Sequence, residues 1–227
     1  MTKSPLDLNA SNRQAYETVA RAYAGPEVGE DDPAHRQACR DGFVGLLNGK
    51  EVLEVGCGPG TDSKRFFDAG LDVLASDFCQ SFLDVVKERY PEIPTLILDM
   101  TKPFDLGTFD GIYGHSCFLH IAHELALSTL QHLRQALKPG GVLFLAVIGT
   151  TKVNRYTIPN WGGHENNPAE FYCYSADELK ALAIAAGFKS TQVLNIPWSP
   201  DSPYIQGNAK GRVDERGIFP WQLVARA

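Results

Sequence analysis

Between residues 50 and 148 short apolar runs alternate with segments whose apolar positions recur every three or four residues. "EVLEV" reads as a strand, "TDSKRFFDAG" as a helix closed by Gly70, "LDVLASD" as a strand, and "SFLDVVKERY" as a helix stopped before Pro91. Then follow the strands "PTLILDM" and "FDGIYGHS", the helix "ELALSTLQHLRQALK", and the strand "GGVLFLAVI". Strands rich in Val, Ile and Leu, apolar on both faces and separated by helices, predict a doubly wound α/β core with a parallel sheet and right-handed crossovers.

The flanks follow the same logic. "SNRQAYETVARAYAG" places Tyr16, Val19, Ala20 and Tyr23 on one helical face, which predicts a helix laid over the core. "SADELKALAIAAG" opens with Ser175 and Glu178 in capping-box spacing, and "FKSTQVLNI" and "GIFPWQLVARA" read as two last strands. The irregular stretches at about 150–172 and 198–217 exceed ordinary connection lengths and are expected to wall a substrate site.

A chain of 227 residues is long enough for one well-buried domain. The division expected is a helical cap over 1–48, a cofactor-binding core over 49–148, and substrate-side loops with the C-terminal strands over 149–227. With 44% hydrophobic and 21% charged residues the composition is that of an ordinary globular protein. The net charge of −6 and the lack of a basic cluster argue against nucleic acid or anionic membranes as partners. No transmembrane-length apolar stretch or signal-peptide core is visible, so a cytoplasmic location is expected. Cys39, Cys57, Cys79, Cys117 and Cys173 form no C-x-x-C pair and are expected as reduced thiols; no metal site is expected.

Chemistry enters at "EVGCGPG". Gly56, Gly58 and Gly60 end a strand and lead into a helix, where bare backbone lets a ligand approach and the helix offers free N–H donors. A dinucleotide fingerprint needs its third small residue where Thr61 stands, and Glu54 before the turn favours a cationic ligand group over a pyrophosphate. Asp77, at the end of the next strand, is placed to accept from ribose hydroxyls. Asp99 and Met100, at the end of the third, are placed for the edge and face of an adenine. Three acids at three successive strand ends point to an adenosine ligand.

In order and spacing, "VLEVGCGPGTDSKRFFDAGLDVLASD", "LILDM", "FDGIYGHSCFLHI" and "LKPGGVLFLAV" resemble the class I S-adenosylmethionine-dependent methyltransferases over about residues 10–190. The resemblance implies a Rossmann-like, seven-stranded, mostly parallel sheet whose last strand is antiparallel and inserted beside the sixth. It implies S-adenosylmethionine as cofactor and S-adenosylhomocysteine as product. It also implies that Glu54, Gly56, Gly58 and Gly60 bind the methionine end, Asp77 the ribose, and Phe78, Asp99 and Met100 the adenine. Gly114, His115 and Ser116 would pass beneath the methionyl group, Tyr16 and Tyr23 would cover the cofactor, and "LKPGG" would be a structural turn.

Methyl transfer needs an aligned nucleophile and, for an alcohol or ammonium, a base. His120 and His115 are the candidates, while His123 should begin a helix and face water. Arg155, Tyr156, Trp161, His164 and Tyr172 are suited to an acceptor pocket, with Tyr204 and Arg212 further along. The leading expectation is transfer to O or N of a small metabolite by a monomer or homodimer. The alternatives are a tRNA methyltransferase, a nicotinamide-dependent oxidoreductase, and a non-catalytic protein that binds the same cofactor.

Overall fold

The crossovers expected from the alternating pattern place β1 (Glu51–Val55), β2 (Asp72–Asp77) and β3 (Thr95–Ile97) side by side. β4 (Phe109–His115) lies on the other side of β1, followed by β5 (Leu137–Thr150). The computed structural model describes residues 4–23, 32–150, 153–199 and 218–227. β6 (Arg155–Ile158) and β7 (Ala169–Tyr172) form a separate antiparallel hairpin, and β8 (Ser190–Leu194) and β9 (Ile218–Arg226) complete the main sheet. The sheet has seven strands in the order β3-β2-β1-β4-β5-β9-β8. β1 through β5 pair parallel, whereas β9 runs antiparallel between β5 and β8. The order reverses between β1 and β4, so a crevice opens above their carboxyl ends.

Helices α3 (Thr61–Asp68), α4 (Gln80–Arg89), α5 (His123–Gln135) and α6 (Ala176–Ala185) connect the strands. Leu53, Ile112, Leu143 and Leu145 form one side of the buried core with Leu130 and Leu133 of α5; Val52, Tyr113 and Phe144 on the other side pack with Phe66 of α3. The capping box expected at α6 is present, Ser175 Oγ accepting from the Glu178 N–H and Glu178 from the Ser175 N–H.

Two further helices cover the crevice. α1 (Pro5–Tyr23) is tied down by polar groups at three places. Glu17 accepts from the Gln80 and Ser81 N–H groups and so caps α4, whose own N-cap residue Cys79 supplies no side-chain bond. Asn12 accepts from the Glu170 N–H and donates to the Glu170 carbonyl on β7, and Asn9 donates to Asp99 after β3. α2 (Pro33–Val44) begins at Asp32, which accepts from the His35 N–H.

The structure departs from the sequence reading in three places. The strand expected over "PTLILDM" is only Thr95–Ile97, because Asp99 and Thr101 close a turn on themselves at 2.6 Å. The stretch at about 150–172, expected to be irregular, contains the β6–β7 hairpin. His123 begins α5 as expected but is half-buried, donating through Nε2 to the Asn154 carbonyl at 3.2 Å with its ring 4.5 Å from Tyr174. Among the described residues no helix is long and apolar enough to cross a membrane.

Candidate functional site

The strand ends converge on a cavity enclosing about 990 Å³ of atom-free space, part of it open to solvent. Its floor is the turn after β1. Gly56 has φ +65°, and a Cβ there would fall 2.3 Å from Cys117 Cβ, so glycine is required by both conformation and space. Gly58 has φ +53° but faces open space, so its bareness leaves room above the turn.

Asp77 fastens this floor. One carboxylate oxygen accepts from the Gly58 N–H and the other from the Cys79 N–H, each at 2.9 Å. Burial pushes its carboxyl up to about 6 despite those donors. Asp99 lines the next part of the wall and accepts from the Thr101 hydroxyl and backbone, while Phe78 and Met100 supply apolar surface beside it. Tyr16 and Tyr23 of α1 also line the cavity, edge-on to each other with centroids 6.3 Å apart.

His120 and Tyr16 meet in the same wall. His120 Nδ1 lies 2.9 Å from the Glu170 carbonyl, which can only accept, so Nδ1 carries the hydrogen and Nε2 a lone pair. The Tyr16 hydroxyl, 2.7 Å from Nε2, therefore donates. Burial lowers the imidazole to about 4, which keeps this neutral tautomer at ordinary pH. Tyr16, which borders the cavity, thus has its own hydrogen committed to His120. The Tyr174 hydroxyl donates to the Ile121 carbonyl at 2.6 Å and steadies the turn that carries His120.

His115, the last residue of β4, borders the cavity with Ser116, whose hydroxyl lies 3.0 Å from its Nδ1. Burial, then the nearby Arg36 charge, hold the His115 imidazole well below its usual range. Ser116 itself has φ +56°, an uncommon conformation for a residue with a side chain.

Some sequence candidates lie outside this wall. Glu54 is 2% exposed and does not border the cavity; the Ser63 hydroxyl donates to its carboxylate from α3. Burial, then the adjacent Asp62 charge, push the Glu54 carboxyl well up. Gly60 serves packing, since a Cβ there would meet Val86 at 2.8 Å, and Gly114 is boxed in by Leu145 and Cys117. The hairpin residues form a shell behind the cavity. Arg155 pairs with Glu170 at 2.9 Å, Tyr156 stacks on Phe171 at 5.0 Å, and Trp161 lies against Tyr16 and Tyr23 at 5.5 and 6.0 Å. His164 is exposed, and Tyr172 is buried near His123. Tyr204 and Arg212 lie outside the described residues.

Sequence reasoning missed Arg36, Asn9, Phe82 and Cys117, all of which border the cavity. Arg36 is the most consequential. With Arg40 it grips Asp62, at 2.5 and 2.6 Å, beneath the glycine turn. Burial opposes the Asp62 charge, yet the two arginines with His115 hold its carboxyl below its usual range. The cavity wall therefore carries a guanidinium and two carboxylates. That set suits a ligand that combines a carboxylate with hydroxyls and an amine-bearing ring.

Residues 34–193 match a family model described as a methyltransferase domain. A demethylmenaquinone methyltransferase of Renibacterium salmoninarum is 40% identical over 149 residues, 61% of this chain and 62% of that protein. The chain spans about three fifths of the length of the curated relatives it matches. The Burkholderia thailandensis 1,6-didemethyltoxoflavin-N1-methyltransferase, solved with bound 1,6-didemethyltoxoflavin and S-adenosylhomocysteine, aligns with TM-score 0.69 at 16% identity, covering 100% of this chain and 91% of that one. Haemonchus contortus phosphoethanolamine N-methyltransferase 2, solved with S-adenosyl-L-methionine, aligns with TM-score 0.71 at 18% identity, covering 100% of this chain and 60% of that one.

Proposed function

This chain belongs to the class I S-adenosylmethionine-dependent methyltransferases, and from that premise we propose that it methylates an O or N atom of a small organic acceptor in the cavity beneath α1. The observation that carries the reading is the Tyr16–His120 pair, set in the same cavity wall as Asp77 and Asp99. The residues fit S-adenosylmethionine. Asp77 would accept from the ribose, Asp99 from the adenine amine beside Phe78 and Met100, and Arg36 would meet the methionyl carboxylate over Gly56 and Gly58. When bound, that group supplies a methyl carbon already activated by its sulfonium.

The chain's part in the reaction is alignment and proton handling. Tyr16 oxygen, its hydrogen held by His120, accepts an O–H or N–H of the acceptor and orients the nucleophile's lone pair. As the nucleophile loses its proton, the proton passes to Tyr16 oxygen while the Tyr16 hydrogen passes to His120 Nε2. Burial disfavours the imidazolium that results, and the Glu170 carbonyl, accepting from Nδ1, offsets part of that cost. Trp161 and Phe82 hold Tyr16 in place in this scheme, with ring centroids 5.5 and 6.2 Å from its own.

Similarity to a demethylmenaquinone methyltransferase and to an enzyme that acts on 1,6-didemethyltoxoflavin supports a small organic acceptor. The acidic net charge of −6 weighs against a tRNA acceptor. Incubation with methyl-labelled S-adenosylmethionine and a metabolite extract should yield a labelled small product. Label that reaches only RNA or protein refutes the reading. With the acceptor in hand, Tyr16→Phe should lower kcat by about 10²-fold while cofactor affinity stays within a few fold; an unchanged kcat removes Tyr16 from the mechanism.

A further inference from the structure

α2 and the end of β4 bring two imidazoles and a thiol together beside the cavity. His35 and Cys39 are four residues apart on α2 and face the same way, with Cys39 Sγ 3.6 Å from His35 Nε2. His115 reaches them from the sheet, its ring centroid 5.7 Å from that of His35. One donor atom from each of the three lies within 4.8 Å of the others.

Neighbouring bonds fix the coordinating tautomer of His35 and permit it for His115, whose hydroxyl partner can accept as well as donate. His35 Nδ1 lies 3.2 Å from the Pro197 carbonyl, which accepts, so Nδ1 bears the hydrogen and Nε2 turns a lone pair toward Cys39. His115 Nδ1 is engaged by the Ser116 hydroxyl at 3.0 Å, whereas its buried Nε2 has no hydrogen-bond partner among the described residues. A carbonyl or hydroxyl on the far nitrogen is the usual arrangement behind a metal-bound imidazole. An unpartnered nitrogen in a buried polar cluster is costly without such a purpose.

We propose that His35 Nε2, Cys39 Sγ and His115 Nε2 bind one zinc-class divalent cation, with the fourth coordination position open toward the cavity that His115 borders. Two nitrogens and one sulfur suit Zn²⁺, and three protein ligands with one open place are the pattern of a site that takes up a further ligand atom. Binding replaces the Cys39 S–H bond with a metal–sulfur bond and releases that proton to solvent, while each histidine contributes a lone pair. The arginines at positions 36 and 40 oppose a cation, and Asp62 together with the new thiolate offsets them.

The test uses the full chain, stripped with chelator and titrated with Co²⁺ and then Zn²⁺, without methyl donor. One Co²⁺ per chain should bind, with near-ultraviolet thiolate-to-cobalt absorption and release of one proton, and Zn²⁺ should bleach the signal. Cys39→Ser should abolish the absorption and Cys173→Ser should leave it intact. His115→Gln, at a strand end outside α2, should weaken binding by more than about tenfold, and it carries the test if Cys39→Ser fails to fold. Absence of stoichiometric binding, or a signal that survives both Cys39→Ser and His115→Gln, overturns the proposal. Because no methyl donor is present, these outcomes are independent of whether the methylation reading holds.

Discussion

Replacing His120 with glutamine keeps an N–H for the Glu170 carbonyl and an oxygen for the Tyr16 hydroxyl, but removes a titrating group. In the native chain burial holds the imidazole neutral down to about 4, against an ordinary value of 6.5. Between those values the unfolded chain binds a proton that the folded chain does not. Stability contributed by neutral His120 is therefore present above about 6.5 and is lost as pH falls toward about 4. At about 1.4 kcal/mol per pH unit the interval is worth about 3 kcal/mol. Asp77 works in the opposite sense, because a carboxyl raised to about 6 is protonated in the folded chain before the unfolded one. The total curve can then be nearly flat, and only the difference between native and His120→Gln isolates the histidine. Urea unfolding of both chains, from neutral pH down to about 4, measures it. The native chain's advantage should shrink by about 3 kcal/mol across that range. A difference that stays constant, or grows as pH falls, refutes the neutral buried histidine and the hydrogen assignment built on it.

Two other substitutions test the electrostatic frame. Asp62→Asn leaves Arg36 and Arg40 with no carboxylate between them, and urea unfolding should show a loss of about 3–5 kcal/mol. Asp77→Asn removes a charged acceptor from the cavity floor, and calorimetry should show S-adenosylhomocysteine binding roughly tenfold to a hundredfold more weakly; unchanged affinity would move the ribose elsewhere.

The sheet was legible because its signals are local. Apolar runs in β1, β2, β4 and β5, the helix stop before Pro91, and the Ser175–Glu178 box each depend on residues a few positions apart. The acids at strand ends were legible too, since β2 and β3 must finish beside the turn after β1, and Asp77 and Asp99 do border the cavity. Glu54 read differently, because one step along a strand exchanges one face for the other and its partner Ser63 lies on α3. α2 was hard to read because the residues it buries are His35, Cys39, Arg40 and Phe43, half of them polar or charged. Arg36 with Asp62, and Tyr16 with His120, are pairs 26 and 104 residues apart, and no periodicity announces which buried polar group will satisfy another. The His35–Cys39 spacing was visible, but its third member is His115 and only the fold brings it near.

The three polar ties that hold α1 down have a kinetic meaning. Tyr16, Tyr23 and Asn9 are at once part of that helix and part of the cavity wall, so filling the cavity and docking the helix are one linked equilibrium. A ligand at about a hundred times its dissociation constant adds about 2.7 kcal/mol to the docked state. Amide hydrogens of α1 that exchange only when the helix lifts should then exchange roughly a hundredfold more slowly, while amides that exchange by local fraying at sheet edges keep their rate. The helix would report occupancy from its own backbone, without any reaction taking place.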